Sequence, residues 1–279
     1  MEDTIFAALP LSPAAFDGVL APLITSREEV AWDDRSEGLQ ARRSVSVGKI
    51  VVERQPLARV PAAARSRALL SLLRERGLAL LPWTPALRQW RARVMLLHRE
   101  SALAGADNPW PDLRDTMLLD SLEDWLLPWL VGVQRLADFS RLDLRAILQG
   151  LLPWPLPKQL DELAPERITV PSGSSVAVDY STAPPVLAVK LQEMFGCEVG
   201  PRIVGGRVSL CIHLLSPAGR PLQVTTDLAS FWRRGYIEVR REMRGRYPRH
   251  PWPEDPVNAV PTRYTRARQL QQEQQREGQ

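Results

Sequence analysis

The sequence predicts an α+β protein built from three successive parts. Residues 1–60 contain short apolar runs that alternate with polar residues, which is typical of strands. Residues 61–164 carry leucines at helical spacing and predict a helical middle. Residues 165–256 mix both patterns and predict a ββαββα unit, an antiparallel sheet with a C-terminal helix. Residues 257–279 are polar and glutamine-rich, and we expect a disordered tail because they cannot bury enough apolar surface.

The composition is that of a globular protein, with 44% hydrophobic and 24% charged residues in a chain of 279. The N-terminus carries two acids and lacks the basic segment of a signal peptide. No window approaches the roughly 18 unbroken apolar residues of a membrane span. Cys197 and Cys211 form neither a disulfide framework nor a four-cysteine zinc site. We therefore expect a soluble, cytoplasmic protein that is a monomer and has no membrane partner.

The basic residues are almost all arginines. Only Lys49, Lys158 and Lys190 are lysines among the 36 basic residues, and the formal net charge is +4. A GC-rich coding sequence explains such a bias over the whole chain. Phosphate recognition explains it in local clusters, because the guanidinium group matches oxyanions in shape.

The N-terminal part predicts a short helix and three strands. Ser12-Pro13 suits a helix start, and the helix runs to about Leu23. The strands are EEVAWDD, GLQARRSVSV and KIVVERQPL, with turns at Asp33–Gly38 and near Gly48. Short curled strands after a helix are typical of a partial OB-like barrel.

Three basic residues on these strands are candidate ligands for nucleic acid, namely Arg42, Arg43 and Lys49. As solvated charges on edge strands they need no ligand. As contacts on an OB-like surface they are typical of nucleic-acid binding.

The helical middle has clear start and stop signals. Pro61 begins a helix with buried-type leucines, and Gly77 ends it. Thr84-Pro85 begins the next helix. Further helices are predicted over Met117–Trp125, Trp129–Leu136, Leu142–Leu151 and Pro157–Leu163.

The triplet Leu-Pro-Trp occurs three times in this middle part, with its tryptophans at positions 83, 129 and 154. Proline disfavours a continuous helix, so each triplet marks a corner. We expect each tryptophan to fill its corner. The alternative is a row of tryptophans that stack on sugars or bases.

The third part begins with strands at Ile168–Val170 and Val176–Tyr180. A short helix is predicted over Val186–Phe195, because its apolar residues follow a helical spacing and Gly196 ends them. Strands are then predicted over Val208–Leu215 and Pro221–Thr225. In the first of these, Val208, Leu210, Ile212 and Leu214 share one side, opposite Ser209, Cys211 and His213.

The last helix is expected to begin at Asp227, whose carboxylate caps it. A helical-wheel projection of this segment places apolar residues on one face and arginines on the opposite face, with Ile237 among the arginines. Glu238 and Glu242 lie on one flank, where they can pair with Arg241 or Arg246. A solvated face is one interpretation, and docking on phosphate or on an acidic protein surface is the other. The candidate binding residues are Arg233, Arg234, Ile237, Arg240, Arg241, Arg244, Arg246 and Arg249.

No catalytic constellation is evident in the sequence. The motif G-x-x-x-x-G-K-[ST] that cradles nucleotide phosphates is absent, as is Asp-Glu-x-His. His98, His213 and His250 have no paired spacing typical of a metal site. Ser172 and Ser174 lie in a turn without a G-x-S-x-G motif, so we expect them to stabilise that turn.

Several segments resemble a known family. ERITVPSGSSVAVDY, PPVLAVKLQEMFG and GRVSLCIHLLSPAGRPLQVTTDLASFWRRGYIEVRREMRGRYPRHPWPEDP resemble the C-terminal region of HrpB-type bacterial ATP-dependent RNA helicases, relatives of the DEAH-box helicases. GLALLPWTPALRQWRARV is similar to the same region. The resemblance implies a chain that starts inside an OB-like barrel and lacks the helicase core. ATP and Mg are then expected only in that missing core, and this chain alone should not be catalytic.

Three functions remain open at this point. The first is an accessory region that braces the motor and contributes to RNA binding. The second is a protein-docking module whose arginine-rich helix binds a protein partner or the helicase core. The third, an independent hydrolase, has no supporting motif. The expected partners are therefore RNA or another nucleic acid and the missing helicase core.

Overall fold

The structure is a computed structural model that describes residues 12, 14–18, 20–36, 38–57, 61–105, 107–265 and 267–268. The fold class is α+β, as predicted. The helices are α1 (Ala14–Asp17), α2 (Ala62–Arg76), α3 (Pro85–Leu103), α4 (Asp115–Asp120), α5 (Leu122–Trp125), α6 (Leu144–Gln149), α7 (Leu156–Leu163), α8 (Leu228–Ser230) and α9 (Tyr236–Arg246). The strands are β1 (Ile24–Asp33), β2 (Gly38–Val47), β3 (Ile50–Pro56), β4 (Arg167–Thr169), β5 (Ser175–Asp179), β6 (Val186–Lys190), β7 (Arg202–Ile203), β8 (Val208–Ser209), β9 (Cys211–Leu215) and β10 (Pro221–Thr225).

Two compact units are present, and each combines two separate segments. One unit contains Met1–Trp83 and Arg114–Leu148, and the other contains Thr84–Leu113 and Gln149–Gln279. Helices α2 and α3 follow each other in the chain but belong to different units. The predicted boundaries at residues 60, 164 and 256 stay predictions.

The first unit holds a three-stranded antiparallel sheet in the order β1-β2-β3. The three predicted strands are thus confirmed. Helix α2 packs against β1 and buries its leucines at positions 69, 70, 72 and 73. Gly77 ends α2 at a positive φ of 81°, a conformation that glycine adopts without strain. Pro13, in the predicted helix start, lies outside the described residues.

Part of the helical middle differs from the prediction. The expected helix over Trp129–Leu136 is replaced by two 3-10 turns, Leu127–Gly132 and Leu136–Arg141. Pro128 has no N–H to donate, which favours short turns over a continuous α-helix.

The second unit holds a five-stranded sheet in the order β10-β9-β6-β5-β4. The sheet is mixed, because β6 and β9 run parallel while its other neighbouring strands are antiparallel. The predicted helix over Val186–Phe195 is wrong. Val186–Lys190 is the central strand β6, and a 3-10 turn follows at Leu191–Met194. A buried central strand is apolar in most positions, so its pattern is easily mistaken for a helix.

The predicted strand over Val208–Leu215 divides at Leu210. Its first part, β8, pairs with β7 in a two-stranded sheet, and its second part, β9, belongs to the large sheet. The predicted burial of one side of this segment is confirmed for Leu210, Ile212 and Leu214.

A buried arginine ties α3 to the end of α7. Arg93 is 1% exposed, and its Nε donates to the Ala164 carbonyl over 2.5 Å. Its other nitrogens bond Asp161 at 2.5 Å and Glu166 at 3.1 Å. A buried guanidinium needs such a complete set of acceptors. Arg93 is therefore a structural residue of this unit.

The last helix contains a π-helical turn. Asp227 caps α8 as predicted, because its Oδ1 accepts from the Ser230 amide at 2.9 Å. The chain then makes a π turn over Phe231–Gly235 and continues as α9. Phe231, Trp232 and Tyr236 are buried. The rings of Trp232 and Tyr236 contact the Phe195 ring, and the Phe231 ring contacts both of them. The extra residue of the π turn allows the neighbouring residues Phe231 and Trp232 to pack on the same side as Tyr236.

Gly235 permits this close packing. A Cβ added at Gly235 would lie 2.8 Å from Cδ2 of Phe231. Its backbone angles of −77° and −32° suit any residue, so only the ring contact selects glycine.

We predict that Gly235→Ala destabilises the protein by about 1–3 kcal/mol, because the added methyl overpacks the aromatic cluster. Gly245→Ala is the matched control, since a Cβ at Gly245 meets nothing within 4 Å. The control should be neutral or gain up to about 1 kcal/mol from helix propensity. Thermal unfolding of both variants measures the difference. Equal midpoints would contradict the packing argument.

Candidate nucleic-acid interface

The exposed side of the last helix carries three arginines and an isoleucine. Ile237, Arg241 and Arg244 are spaced by three or four residues, and Arg233 precedes Ile237 by four. All four are exposed, and Ile237 is 61% exposed. We call Arg233, Ile237, Arg241 and Arg244 the arginine stripe. Its existence confirms the predicted exposure of Ile237 among basic residues.

The opposite side of the same helix is fixed by burial and hydrogen bonds. Tyr236 and Met243 are buried, and the Tyr236 hydroxyl donates to the Pro253 carbonyl at 2.9 Å. Burial raises the pKa of Tyr236 well above its ordinary value, so the hydroxyl remains a donor. The Trp232 indole donates to the Cys197 carbonyl at 2.7 Å. These contacts set the rotation of the helix and thereby direct the arginine stripe outward.

Arg240 does not belong to the exposed stripe, which corrects its predicted place. Its Nε donates to the Trp252 carbonyl at 3.0 Å, and its Nη2 pairs with Glu254 at 2.8 Å. Only 25% of its side chain is exposed. The wheel placed Arg240 opposite the apolar face, but the residue lies at the edge of that face, where the following segment covers it.

The segment after the helix folds back as a strap, which we define as residues 247–262. Trp252 is 2% exposed, and its indole donates to the Tyr247 carbonyl at 3.1 Å. The amides of Gly196 and Thr262 bond to Pro256 O at 3.0 Å and Gln192 O at 2.9 Å. Packing therefore continues past Pro256 to Thr262. Of the predicted disordered tail, residues 266 and 269–279 lie outside the described residues.

The remaining arginines of the helix differ in their partners. Arg234 donates to the Ser230 hydroxyl, and Arg246 pairs with Glu242 at 3.5 Å, as predicted for i and i+4. Arg249 is exposed beyond the helix end. Within the described ranges, no hydrogen bond or ion pair engages the side chains of Arg233, Arg241, Arg244 and Arg249. Unpaired guanidinium groups on one surface leave a local positive potential.

The basic candidates of the three-stranded sheet lie in the other unit. Arg43 pairs with Glu28 at 3.1 Å, and Arg42 donates to Gln40 Oε1 at 2.6 Å. Lys49 is exposed in the turn before β3. Arg42 also lines a cleft of about 280 Å³ together with Trp32 and Arg54. Arg43 is thus paired with a carboxylate, whereas Arg42 bonds a neutral amide and keeps its charge.

The candidates for catalysis do not assemble into a site. Ser172 Oγ donates to Glu193 at 2.8 Å and contacts Ser174 Oγ at 3.1 Å, which supports a role in the turn. His98 bonds the Trp110 carbonyl at 2.8 Å. Among the described side chains, no group of three or more His, Cys, Asp or Glu could hold a metal ion.

The three Leu-Pro-Trp tryptophans differ in environment. Trp83 fills its corner as predicted, because its indole donates to the Leu78 carbonyl at 2.9 Å. Trp129 and Trp154 are 55% and 79% exposed, so the corner prediction is wrong for both. Pro153 and Pro155 flank Trp154 and limit how far the chain can fold around it.

Membrane insertion through a helix finds no support in the described part of the chain, where no helix is both long and apolar enough to cross a bilayer.

Comparisons with known proteins converge on one family. A family described as "ATP-dependent helicase C-terminal" matches residues 125–256, and one described as "ATP-dependent RNA helicase HrpB, connector region" matches residues 23–57. The ATP-dependent RNA helicase HrpB of Escherichia coli K12 is 43% identical over 245 residues, which cover 88% of this chain and 30% of that protein.

Solved structures agree with this result. The crystal structure of the E. coli DExH-box NTPase HrpB matches with a TM-score of 0.71 and 41% identity, over 92% of this chain and 31% of that one. The crystal structure of the E. coli DEAH/RHA helicase HrpB matches with a TM-score of 0.60 and 41% identity, over 82% and 29%. The chain thus spans about a third of the length of these relatives.

We predict that Arg240→Gln loosens the strap. The change removes the charged pair with Glu254 and weakens the bond to Trp252, at a cost of about 1–2 kcal/mol. Amide hydrogen exchange should become faster in residues 250–256. Arg246→Gln, which breaks a more exposed pair on the same helix, should leave that exchange unchanged. Unchanged exchange in Arg240→Gln would remove the structural role given to Arg240.

Proposed function

Because the chain is a C-terminal region of an HrpB-type ATP-dependent helicase, we propose that it braces the helicase motor and adds binding surface for RNA. The relative in E. coli bears the name of an RNA helicase, which makes RNA the first nucleic acid to consider. The motor, with its ATP and Mg, would belong to another part of such a protein, because this sequence has no phosphate-binding loop. The proposal includes a monomer that works in the cytoplasm.

The observation that carries the RNA-binding proposal is the arginine stripe. Residues 233–249 contain seven arginines and two acids. Arg240 and Arg246 are engaged with carboxylates, while Arg233, Arg241 and Arg244 point positive charge away from the protein. Phosphate contacts of this kind bind without regard to sequence and weaken as salt rises.

The dimensions of the stripe suit an extended ligand. Arg233 and Arg244 are eleven residues apart, which corresponds to roughly 16 Å along a helix. A rigid helix holds the Cα atoms of these arginines at fixed spacing, so little backbone entropy is lost when a strand binds. We propose that the stripe lies beside the path of the RNA.

One exposed apolar surface supports a bracing role. Strand β3 leaves Ile50, Val51 and Val52 exposed by 71%, 43% and 45%. An apolar strand at a sheet edge is a common docking element. The relatives contain this region within a chain about three times as long, so a motor is the natural partner in our proposal.

A second candidate function is a protein-docking module. Ile237 favours it, because an isoleucine exposed by 61% within a charged surface contributes more to a protein interface than to phosphate binding. The partner would then be an acidic protein surface or the helicase core.

We predict that Arg244→Glu lowers the affinity for single-stranded RNA by roughly tenfold or more at low salt, because it replaces a phosphate contact by a repulsion. The slope of log K against log salt should fall by about 0.7 for each lost contact. Fluorescence anisotropy over a salt series measures both quantities.

Arg246→Glu is the matched control, because it changes the net charge equally from a residue that is already paired with Glu242. A similar loss in both variants would indicate a general charge effect and contradict the stripe. Absence of RNA binding at low salt, together with binding to a helicase core that Ile237→Ser weakens, would establish the docking module instead.

A further inference from the structure

One face of the three-stranded sheet places three arginines around a single serine. Ser44 of β2 lies directly opposite Arg27 of β1 and directly opposite Arg54 of β3. Arg42 precedes Ser44 by two positions on the same strand. Residues two apart on a strand, and residues paired across neighbouring strands, point to the same face of a sheet. The cleft of about 280 Å³ agrees with this placement, because Arg42, Ser44 and Arg54 all line it.

The side chain of Ser44 is buried, but its hydroxyl has no partner. Ser44 is 8% exposed. Within the described ranges, no hydrogen bond engages its Oγ, although the residue lines the cleft. A hydroxyl that is removed from water without a hydrogen bond costs free energy, and a ligand that completes its bonding recovers that cost. An oxygen atom of a ligand in the cleft can accept from this hydroxyl.

The three arginines keep their positive charge. In the described part of the chain, no carboxylate bonds to Arg27, Arg42 or Arg54. The Nη2 of Arg42 donates to Gln40 Oε1 at 2.6 Å, and the Gln40 amide nitrogen donates to Asp33 at 2.6 Å. The neutral Gln40 amide therefore holds the Arg42 guanidinium in place without a direct ion pair to Asp33.

Two acids also line the cleft. Glu29 pairs with Arg42 in the strand register, but among the described residues it forms no ion pair. Asp33 lies two positions beyond Ala31 and is already bonded by Ser36 and Gln40. Three guanidinium groups minus the free carboxylate of Glu29 leave a local charge of +2.

This local charge matches a phosphate monoester better than a phosphodiester. A monoester carries about −1.5 to −2 charges at pH 7 and has three strong acceptor oxygens. A phosphodiester in a nucleic-acid backbone carries one negative charge. Guanidinium groups bind phosphate oxygens in a bidentate manner, and the Ser44 hydroxyl adds a further donor. The charge and the number of donors therefore favour a monoester.

The rest of the cleft suits a nucleoside attached to that phosphate. Ala31 and the half-buried Trp32 also line it and add apolar surface that a phosphate ion alone does not need. Bases of single-stranded nucleic acid commonly stack on aromatic side chains. Sites for small molecules occupy roughly 300–1,000 Å³, so a cleft of about 280 Å³ takes one small unit.

We infer that this face of the sheet binds the terminal phosphate monoester of a nucleotide, presented by the end of a single-stranded RNA. The monoester site consists of Arg27, Arg42, Ser44 and Arg54. The inference rests on the proposed RNA-binding function and adds recognition of the strand end to it. The monoester site belongs to the first compact unit and the arginine stripe to the second, so the two can be tested separately.

The test is calorimetry of the 279-residue chain with short single-stranded RNAs of one sequence. The RNAs carry a phosphate at the 5′ end, a phosphate at the 3′ end, or hydroxyls at both ends. We expect one phosphorylated RNA to bind roughly tenfold more tightly than the hydroxyl form, because it gains several charge-assisted hydrogen bonds. Arg54→Gln should reduce this preference to about twofold or less.

Arg43→Gln is the matched control. It removes the same charge from the neighbouring strand β2, but Arg43 points to the opposite face and pairs with Glu28 at 3.1 Å. This variant should keep the full preference for the phosphorylated RNA. An equal loss in Arg43→Gln and Arg54→Gln would indicate a general charge effect and overturn the monoester site.

Ser44→Ala separates binding from folding. Because the Ser44 hydroxyl has no hydrogen bond in the free protein, its removal should leave the thermal unfolding midpoint unchanged or raise it. The preference for the phosphorylated RNA should nevertheless fall by roughly threefold or more. An unchanged preference would overturn the site. If Ser44→Ala lowers the midpoint, the exposed variant Arg54→Gln decides the result.

The outcomes separate the monoester site from the proposed function. If RNA binds but all three RNAs bind equally well, the monoester site is wrong and the proposed function stands. A further titration uses a free nucleoside monophosphate. If it binds through Arg54 while no RNA binds, the site belongs to a free nucleotide, and both the strand-end assignment and the RNA-binding function are overturned.

Discussion

The packing of four aromatic rings under the last helix determines which side of that helix faces solvent. Phe231, Trp232 and Tyr236 lie with Phe195 in one buried cluster, with ring centroids 5.0–6.4 Å apart. The π turn carries Phe231 and Trp232 of this cluster, and the close approach of the Phe231 ring selects glycine at position 235. Once these rings are buried, the rotation of the helix is fixed. The arginines on the other side are then exposed without any further contact to hold them there.

The same constraint divides the arginines of one helix between two roles. Arg240 and Arg241 are neighbours in sequence, yet about 100° separates them around the helix axis. Arg240 therefore reaches the strap and bonds Trp252 and Glu254, while Arg241 remains in the exposed stripe. The strap in turn returns to the turn after β6, where its Pro256 carbonyl accepts from the Gly196 amide and its Thr262 amide donates to the Gln192 carbonyl. The buried side of the helix, the strap and the exposed arginine stripe are thus fixed by the same packing.

The sequence correctly predicted those features of the fold that depend on interactions between residues close together in the chain. The strands β1, β2 and β3, the glycine after α2 and the aspartate cap of α8 all depend on neighbours within a few residues. Val186–Lys190 was mistaken for a helix, because a central strand is apolar whichever face is considered. The partners of Arg240 depend on where the strap returns, and the helical periodicity of the sequence does not describe that return. The exposure of Trp154 also could not be predicted, since a corner tryptophan can turn inward or outward.

The most direct measurement of the central claim is NMR of the arginine side-chain Nε–H groups during a titration with single-stranded RNA. The account predicts that the signals of Arg233, Arg241 and Arg244 shift together and that their exchange with water slows. The signals of Arg93 and Arg240 should not move, because protein acceptors already hold both groups. Shifts confined to other arginines, or shifts at Arg240 without any at Arg241 and Arg244, would contradict the stripe as the RNA-binding surface.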